Sequence, residues 1–142
     1  MRDEELLPMA NIPIDGGTPG CNPEEDRKIQ GTFDDFAEDA VSICEKMNFK
    51  RILVGSPWVS YRSRGMFVKT QPDLIYDSRC GIIDFEIAKE YGGRKAFRIF
   101  CDKAHEKGIE VFVWYPGFHL ANHSHHLTEH PEWIIRKHDG SP

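Results

Sequence analysis

The chain has 142 residues, of which 39% are hydrophobic and 29% charged, and its formal net charge is −5. That is enough for one domain with a sizeable core, and the balance is that of a folded globular protein, not a disordered or fibrous one. The acidic balance argues against a nucleic-acid partner, which calls for clustered Lys and Arg, and no apolar run approaches the ~20 residues of a membrane helix.

The opening MRDEELLPMA lacks the basic start and apolar centre of a signal peptide. Cys21, Cys44, Cys80 and Cys101 are widely spaced, without a C-x-x-C pair. Free thiols are expected in preference to disulfides or a zinc site, with a reducing, cytoplasmic location.

Residues 1–31 are rich in Pro and Gly. Pro8 and Pro13 leave room for a short first strand near Pro8–Ile12, followed by a loop from Asp15 to Gln30. Thr32 then opens a helix. With Asp35 three residues on it resembles a capping box, and Phe33, Phe36, Ala37, Ala40, Val41, Cys44 and Met47 form an apolar stripe. Asn48 is placed to end the helix in the left-handed conformation. Arg51–Gly55 reads as a short buried strand.

From Gly55 to Tyr91 there is little periodicity but several aromatic residues, which predicts an ordered, functional loop. Residues 81–88 read as a short strand or an extended approach to the next helix. That helix runs from about Gly93 to Lys107, with Phe97, Phe100, Cys101 and Ala104 on one face and Gly108 closing it. Ile109–Tyr115 is nearly unbroken in apolar, β-branched and aromatic residues, the pattern of a parallel strand covered on both faces. Pro116–Ser124, a short helical turn near His125–His130 and a turn from Lys137 complete the chain.

The order is β-α-β-α-β, with about 50 residues per unit, as in a barrel with long upper loops. The fold class expected is therefore α/β, a partial (β/α)8 TIM-type barrel of about three β/α units. Residues 1–142 are expected to form a single partial domain of a larger catalytic barrel. Arg51–Gly55 and Ile109–Tyr115 should be parallel neighbours with a right-handed crossover. Open sheet edges would favour self-association. In such folds ligands bind past the C-terminal ends of the strands, which draws attention to Tyr115–His119.

The run FRIFCDKAHEKGIEVFVWYPGFHL resembles the helix and third strand of α-galactosidase-type glycoside hydrolase barrels, and more loosely those of the α-amylase superfamily. The carrying residues are His105, Gly108 and Trp114. His130, Pro131, Glu132, Trp133, Asp139 and Gly140 are similar to the stretch that follows that strand. LPMANIP is similar to the first barrel strand, and RILVGSPW to the second, with Trp58 on the family's Trp. Gly55 and Ser56 stand where α-galactosidases carry paired acids, and Tyr115, Pro116 and Gly117 follow Trp114 where they carry carboxylates.

The resemblance implies a glycosidase parent acting on carbohydrate, with Trp58, Asp84, Trp114, Tyr115 and His119 as substrate-binding residues. It places the nucleophile and the acid/base on later strands, so no catalytic residue is expected within 1–142. Glycoside cleavage needs two carboxyls about 5–9.5 Å apart, and no spacing pairs Asp15, Asp84 and Glu132. Aromatic rings suit sugar faces, and a carboxylate or imidazole suits hydroxyls. Asp84 also reads as a loop acid or a cap of the following segment, and Trp114 as barrel filling.

His119, His123, His125, His126 and His130 crowd one segment, and His119/His123 and His126/His130 have the i, i+4 spacing of helical metal ligands. Pro116 and Gly117 disfavour a helix through His119, and no Glu supplies the base of H-E-x-x-H. The segment is read as a polar loop and short helix, with no metal or other cofactor expected. A metal-dependent hydrolase barrel using the His119–His130 cluster is the alternative, and a non-catalytic binding or scaffold piece is the third reading.

Overall fold

A computed structural model describes residues 9–12, 31–61, 63, 68–71, 74–76, 81–117 and 120–141, with the backbone alone described at Ile12 and at the strands within 68–76. Asp15, Cys21, Cys80 and His119 lie outside the described residues, as does the loop expected from Asp15 to Gln30.

Three strands form a parallel sheet: β1 (Met9–Ile12), β2 (Arg51–Val54) and β7 (Glu110–Val113), in the order β1-β2-β7. In register, Ala10, Ile52 and Val111 form one row, and Asn11, Leu53 and Phe112 the next. The expected parallel pairing of the second and third of these strands is what the structure has.

Helix α1 (Phe33–Met47) precedes β2, and helix α2 (Gly93–Glu106) precedes β7. Thr32 caps α1 through a complete capping box: its backbone N–H and hydroxyl donate to Asp35 Oδ2 at 3.1 and 2.8 Å, and its Oγ1 accepts from the Asp35 N–H at 3.4 Å. Two of the orphan N-terminal groups are satisfied in this way.

The helices end alike. Asn48 (φ 56°) follows α1 and Gly108 (φ 67°) follows α2, both left-handed. In the second case the Gly108 N–H donates to the His105 carbonyl and the Ile109 N–H to that of Ala104, each at 2.9 Å. That is the Schellman pattern, which reverses the chain and sends it directly into the next strand. Gly92 (φ 95°) starts α2 where an added Cβ would come within 2.7 Å of Ala96 Cβ, so only glycine fits.

The core lies between the sheet and the two helices. Phe33, Phe36, Ala40 and Cys44 of α1 and Phe100 and Ala104 of α2 meet Ile52 and Val54 of β2. Phe33 and Phe100 stack with centroids 5.7 Å apart. The 3.6-residue stripes foreseen in both helices face the core, except that Met47, at the end of the first, is 60% exposed.

The segment after β2 is more structured than its sequence indicates. It contains β3 (Trp58–Ser60), β4 (Val68–Gln71), β5 (Leu74–Tyr76) and β6 (Ile82–Ile87), paired antiparallel as β3–β6 and β4–β5. The expected loop is therefore corrected to two antiparallel pairs, with β6 falling in the stretch 81–88 already read as a short strand, and the three strands counted from sequence become seven among the described residues. Register shifts on both sides of Val59 explain the missing period-2 signal, since a bulge breaks the alternation that periodicity detects.

β7 also departs from expectation. Phe112 is 42% exposed and Glu110 is exposed, so this strand is not covered on both faces. Val111 and Val113 pack on the helical side, whereas Phe112 shares the opposite face with Met9, which is 41% exposed. The apolar run reports a strand whose second face is chemically suited to burial but lies open among the described residues.

Candidate functional site

Beyond Val54 and Val113 the sheet gives way to a cluster of rings. The Trp114 N–H donates to the Val54 carbonyl at 3.0 Å, extending the ladder by one bond. The Trp58 indole N–H donates to the Trp114 carbonyl at 2.9 Å. Tyr115 then lies edge-on to Trp58 at 5.8 Å, and Phe85 of β6 is 5.4 Å from Tyr115 and 6.5 Å from Trp58. Edge-to-face contacts in this range are favourable for aromatic quadrupoles.

The His-rich segment is laid along β6. The Ala121 N–H donates to the Ile82 carbonyl and the Ser124 hydroxyl to that of Ile83, both at 2.7 Å. Tyr61 and His123 share a hydrogen bond of 3.0 Å between the phenol oxygen and Nδ1. These bonds hold the start of the short helix α3 (His126–Glu129) beside β6. His126 Nε2 comes 3.4 Å from Asp84 Oδ1, and its ring lies 5.7 Å from Phe85 and 6.2 Å from Trp133. Trp133 in turn stacks on His130 with centroids 4.0 Å apart and planes 8° from parallel.

Phe85, Tyr115, Leu127, Trp133 and Ile135 line a cavity of about 1000 Å³, an open groove with apolar walls. Tyr115 is 56% exposed, so its ring is available to a ligand. Next to the groove, Glu132 carries a carboxyl held below the usual range, by its own backbone N–H first and then by His130.

Of the residues singled out from sequence, Trp58, Trp114 and Tyr115 meet directly. Trp114 joins through its carbonyl, and the residue is 38% exposed among the described residues. Asp84 lies within antiparallel β6 and not at the end of a parallel strand, but it faces the same segment through His126. His119 lies outside the described residues.

No protein-family model matches the sequence, and no curated protein matches it. Solved structures do. The chain is similar to an alpha-amylase from Lactobacillus plantarum, with TM-score 0.67 and 20% identity over 94% of this chain and 28% of that one. It is similar to a noncanonic maltogenic alpha-amylase from Thermotoga neapolitana, with TM-score 0.68 and 21% identity over 96% and 29%. A trehalose-6-phosphate hydrolase from Bacillus licheniformis follows, with TM-score 0.61 and 17% identity over 96% and 23%.

The fold is alpha-amylase-like. The chain spans less than a third of each of these three proteins. Of the two resemblances drawn from residues 96–140, the looser one agrees with these likenesses. The α-galactosidase assignment is not supported and is withdrawn.

Phe85 and Trp133 were not singled out as ligand contacts from sequence, and His126 was noted only as a candidate metal ligand paired with His130. Their meeting depends on which carbonyls of β6 accept from Ala121 and Ser124, and no local spacing encodes that. The Tyr61–His123 pair was equally hidden, because its partners are 62 positions apart.

Proposed function

We propose that this chain is the N-terminal part of a glycoside hydrolase (β/α)8 barrel acting on carbohydrate, and that it forms sugar-contacting loops while the catalytic carboxyl pair comes from elsewhere in the parent protein. The observation that carries the reading is the amylase-like fold over nearly the whole chain. The open ring cluster supports it further: Trp58, Phe85, Tyr115 and Trp133 offer flat apolar faces beside the polar groups of Asp84 and His126, the combination that grips a sugar ring.

The half-exposed face of Met9 and Phe112 fits a sheet whose remaining strands are supplied by other chain. In their absence the same face and the edges of β1 and β7 would drive association between copies. A single partial domain in the cytoplasm remains part of the proposal.

The test is oligosaccharide binding and turnover by residues 1–142, with maltooligosaccharides among the ligands. Quenching of Trp fluorescence on binding, with no release of reducing ends, is the expected result. Turnover would mean that acids within this chain perform the chemistry, and absence of any sugar binding would favour the scaffold reading. In a longer protein carrying the later strands, His119→Ala should weaken substrate binding by about 1–3 kcal/mol. Unchanged kinetics would remove His119 from the site.

A further inference from the structure

Among the described residues, the histidines gathered at Asp84 are adjacent ones, not an i, i+4 pair. Adjacent His125 and His126 have ring centroids 4.1 Å apart, and Asp84, from a strand forty residues earlier, reaches the same point. One ligand atom from each of the three lies within 4.8 Å of the others. We propose that Asp84, His125 and His126 form a binding site for a divalent transition-metal ion of the zinc type.

Geometry supports the assignment first. His126 Nε2 and Asp84 Oδ1 are 3.4 Å apart, long for a hydrogen bond between these groups. Two donors each about 2.0–2.1 Å from a tetrahedral ion would lie about 3.3–3.4 Å from each other. The spacing is already that of two ligands of one ion. The His125 side chain is half exposed, and one of its ring nitrogens lies within 4.8 Å of the ligand atoms of Asp84 and His126.

The surroundings support it next. His125 and His126 belong to a segment clamped to β6 by the Ser124 and Ala121 hydrogen bonds, so the imidazoles are held near the carboxylate before any ion arrives. Glu129 lies 3.9 Å from His125 Nε2 and adds a second negative charge beside the site. Two imidazole nitrogens and one carboxylate oxygen form a borderline donor set, which selects Zn²⁺, Co²⁺ or Ni²⁺ over Ca²⁺ and Mg²⁺. Three protein ligands leave a fourth position for water. The ion would pin the His-rich segment to β6 at one end of the ring-lined groove. The site shares Asp84 and His126 with the proposed sugar groove, but it is argued from the geometry of these side chains and is tested without carbohydrate.

The experiment is calorimetric titration of Zn²⁺ into the tag-free full chain after dialysis against a chelator, with no carbohydrate present. One Zn²⁺ per chain is expected, resistant to excess Ca²⁺ and Mg²⁺, together with a visible absorption band when Co²⁺ replaces Zn²⁺. His126→Ala and His125→Ala should each weaken binding at least about tenfold, since even partners of metal ligands matter by 10–100-fold. His138→Ala, at an exposed position outside the cluster, should leave binding unchanged. His125 is exposed enough for its variant to fold, which circular dichroism will verify, so the test survives if His126→Ala does not fold. No saturable Zn²⁺ binding would overturn the proposal, as would full affinity in His125→Ala or displacement by Ca²⁺.

Discussion

Trp58 reaches from the start of β3 to donate its indole N–H to the main-chain carbonyl of Trp114, 2.9 Å away at the end of β7. This bond ties the β3–β6 pair to the parallel sheet and sets where Tyr115 emerges. Trp58→Phe keeps a ring but removes the donor, and should cost about 0.5–1.5 kcal/mol, the usual net value of such a bond. A urea melt that moves its midpoint to lower denaturant with unchanged slope would bear this out. An unmoved midpoint would show that water replaces the indole without loss.

Phe100 carries a larger share of the stability. It is fully buried and touches Phe33, Phe36 and Phe97, so it joins both helices. Phe100→Ala should cost about 3–5 kcal/mol, a large part of a small domain's total. Far-UV circular dichroism at rising temperature should show early unfolding. A melt within a degree or two of wild type would mean that the helices close over the cavity.

The capping box makes acid stability testable. Hydrogen bonds from the Thr32 hydroxyl and backbone N–H hold the Asp35 carboxyl below the usual range. Serine and backbone donors do the same for Asp139. A carboxyl with a depressed folded pKa adds stability that is present above its unfolded pKa and lost as pH falls through the folded value. Asp35→Asn should therefore flatten the loss of stability below about pH 4, near the ordinary Asp pKa. Thr32→Ala should cost about 1 kcal/mol near neutral pH. Parallel wild-type and Asp35→Asn acid curves would remove the cap from the account.

Thiol chemistry should distinguish the described cysteines. Cys44 and Cys101 are free, and Cys44 is fully buried. Burial pushes both thiols up, with the Asp102 charge adding to the effect at Cys101. Thiolate is the reactive form, so both should alkylate slowly near neutral pH. Mass mapping should find Cys44 modified only in denaturant and Cys101 earlier. Rapid labelling of Cys44 in the native protein would show that α1 opens readily.

Association is the remaining measurable consequence of the open sheet face. Sedimentation at rising concentration should show mass increasing beyond the monomer. Phe112→Lys should shift it back, because a charge on that face resists stacking and edge pairing. A monomer at all concentrations, melting in a single sharp transition, would count against a missing partner surface.

The sequence by itself determined the two αβ units. Thr32 with Asp35, the Phe33–Cys44 stripe, Asn48 and Gly108 act within a few residues, through hydrogen bonds and steric limits that local chemistry sets. The parallel pairing of β2 with β7 was legible for a related reason: a short turn at Gly108 returns α2 into β7, and a strand, a crossover helix and a strand have few ways to pack even with the β3–β6 segment inserted between β2 and α2. What only the tertiary structure decided lies in residues 55–91 and 120–133. There the bulged β3–β6 ladder erases periodicity, and the carbonyls of Ile82 and Ile83 choose which histidine meets Asp84. Of the histidines at i, i+4 spacing, His119 lies outside the described residues, and Asp84 has the neighbours His125 and His126 beside it at the start of α3, a grouping that no helical spacing announces. Contacts between distant segments depend on register, and register is fixed by the whole packed sheet, not by any stretch of chain read alone.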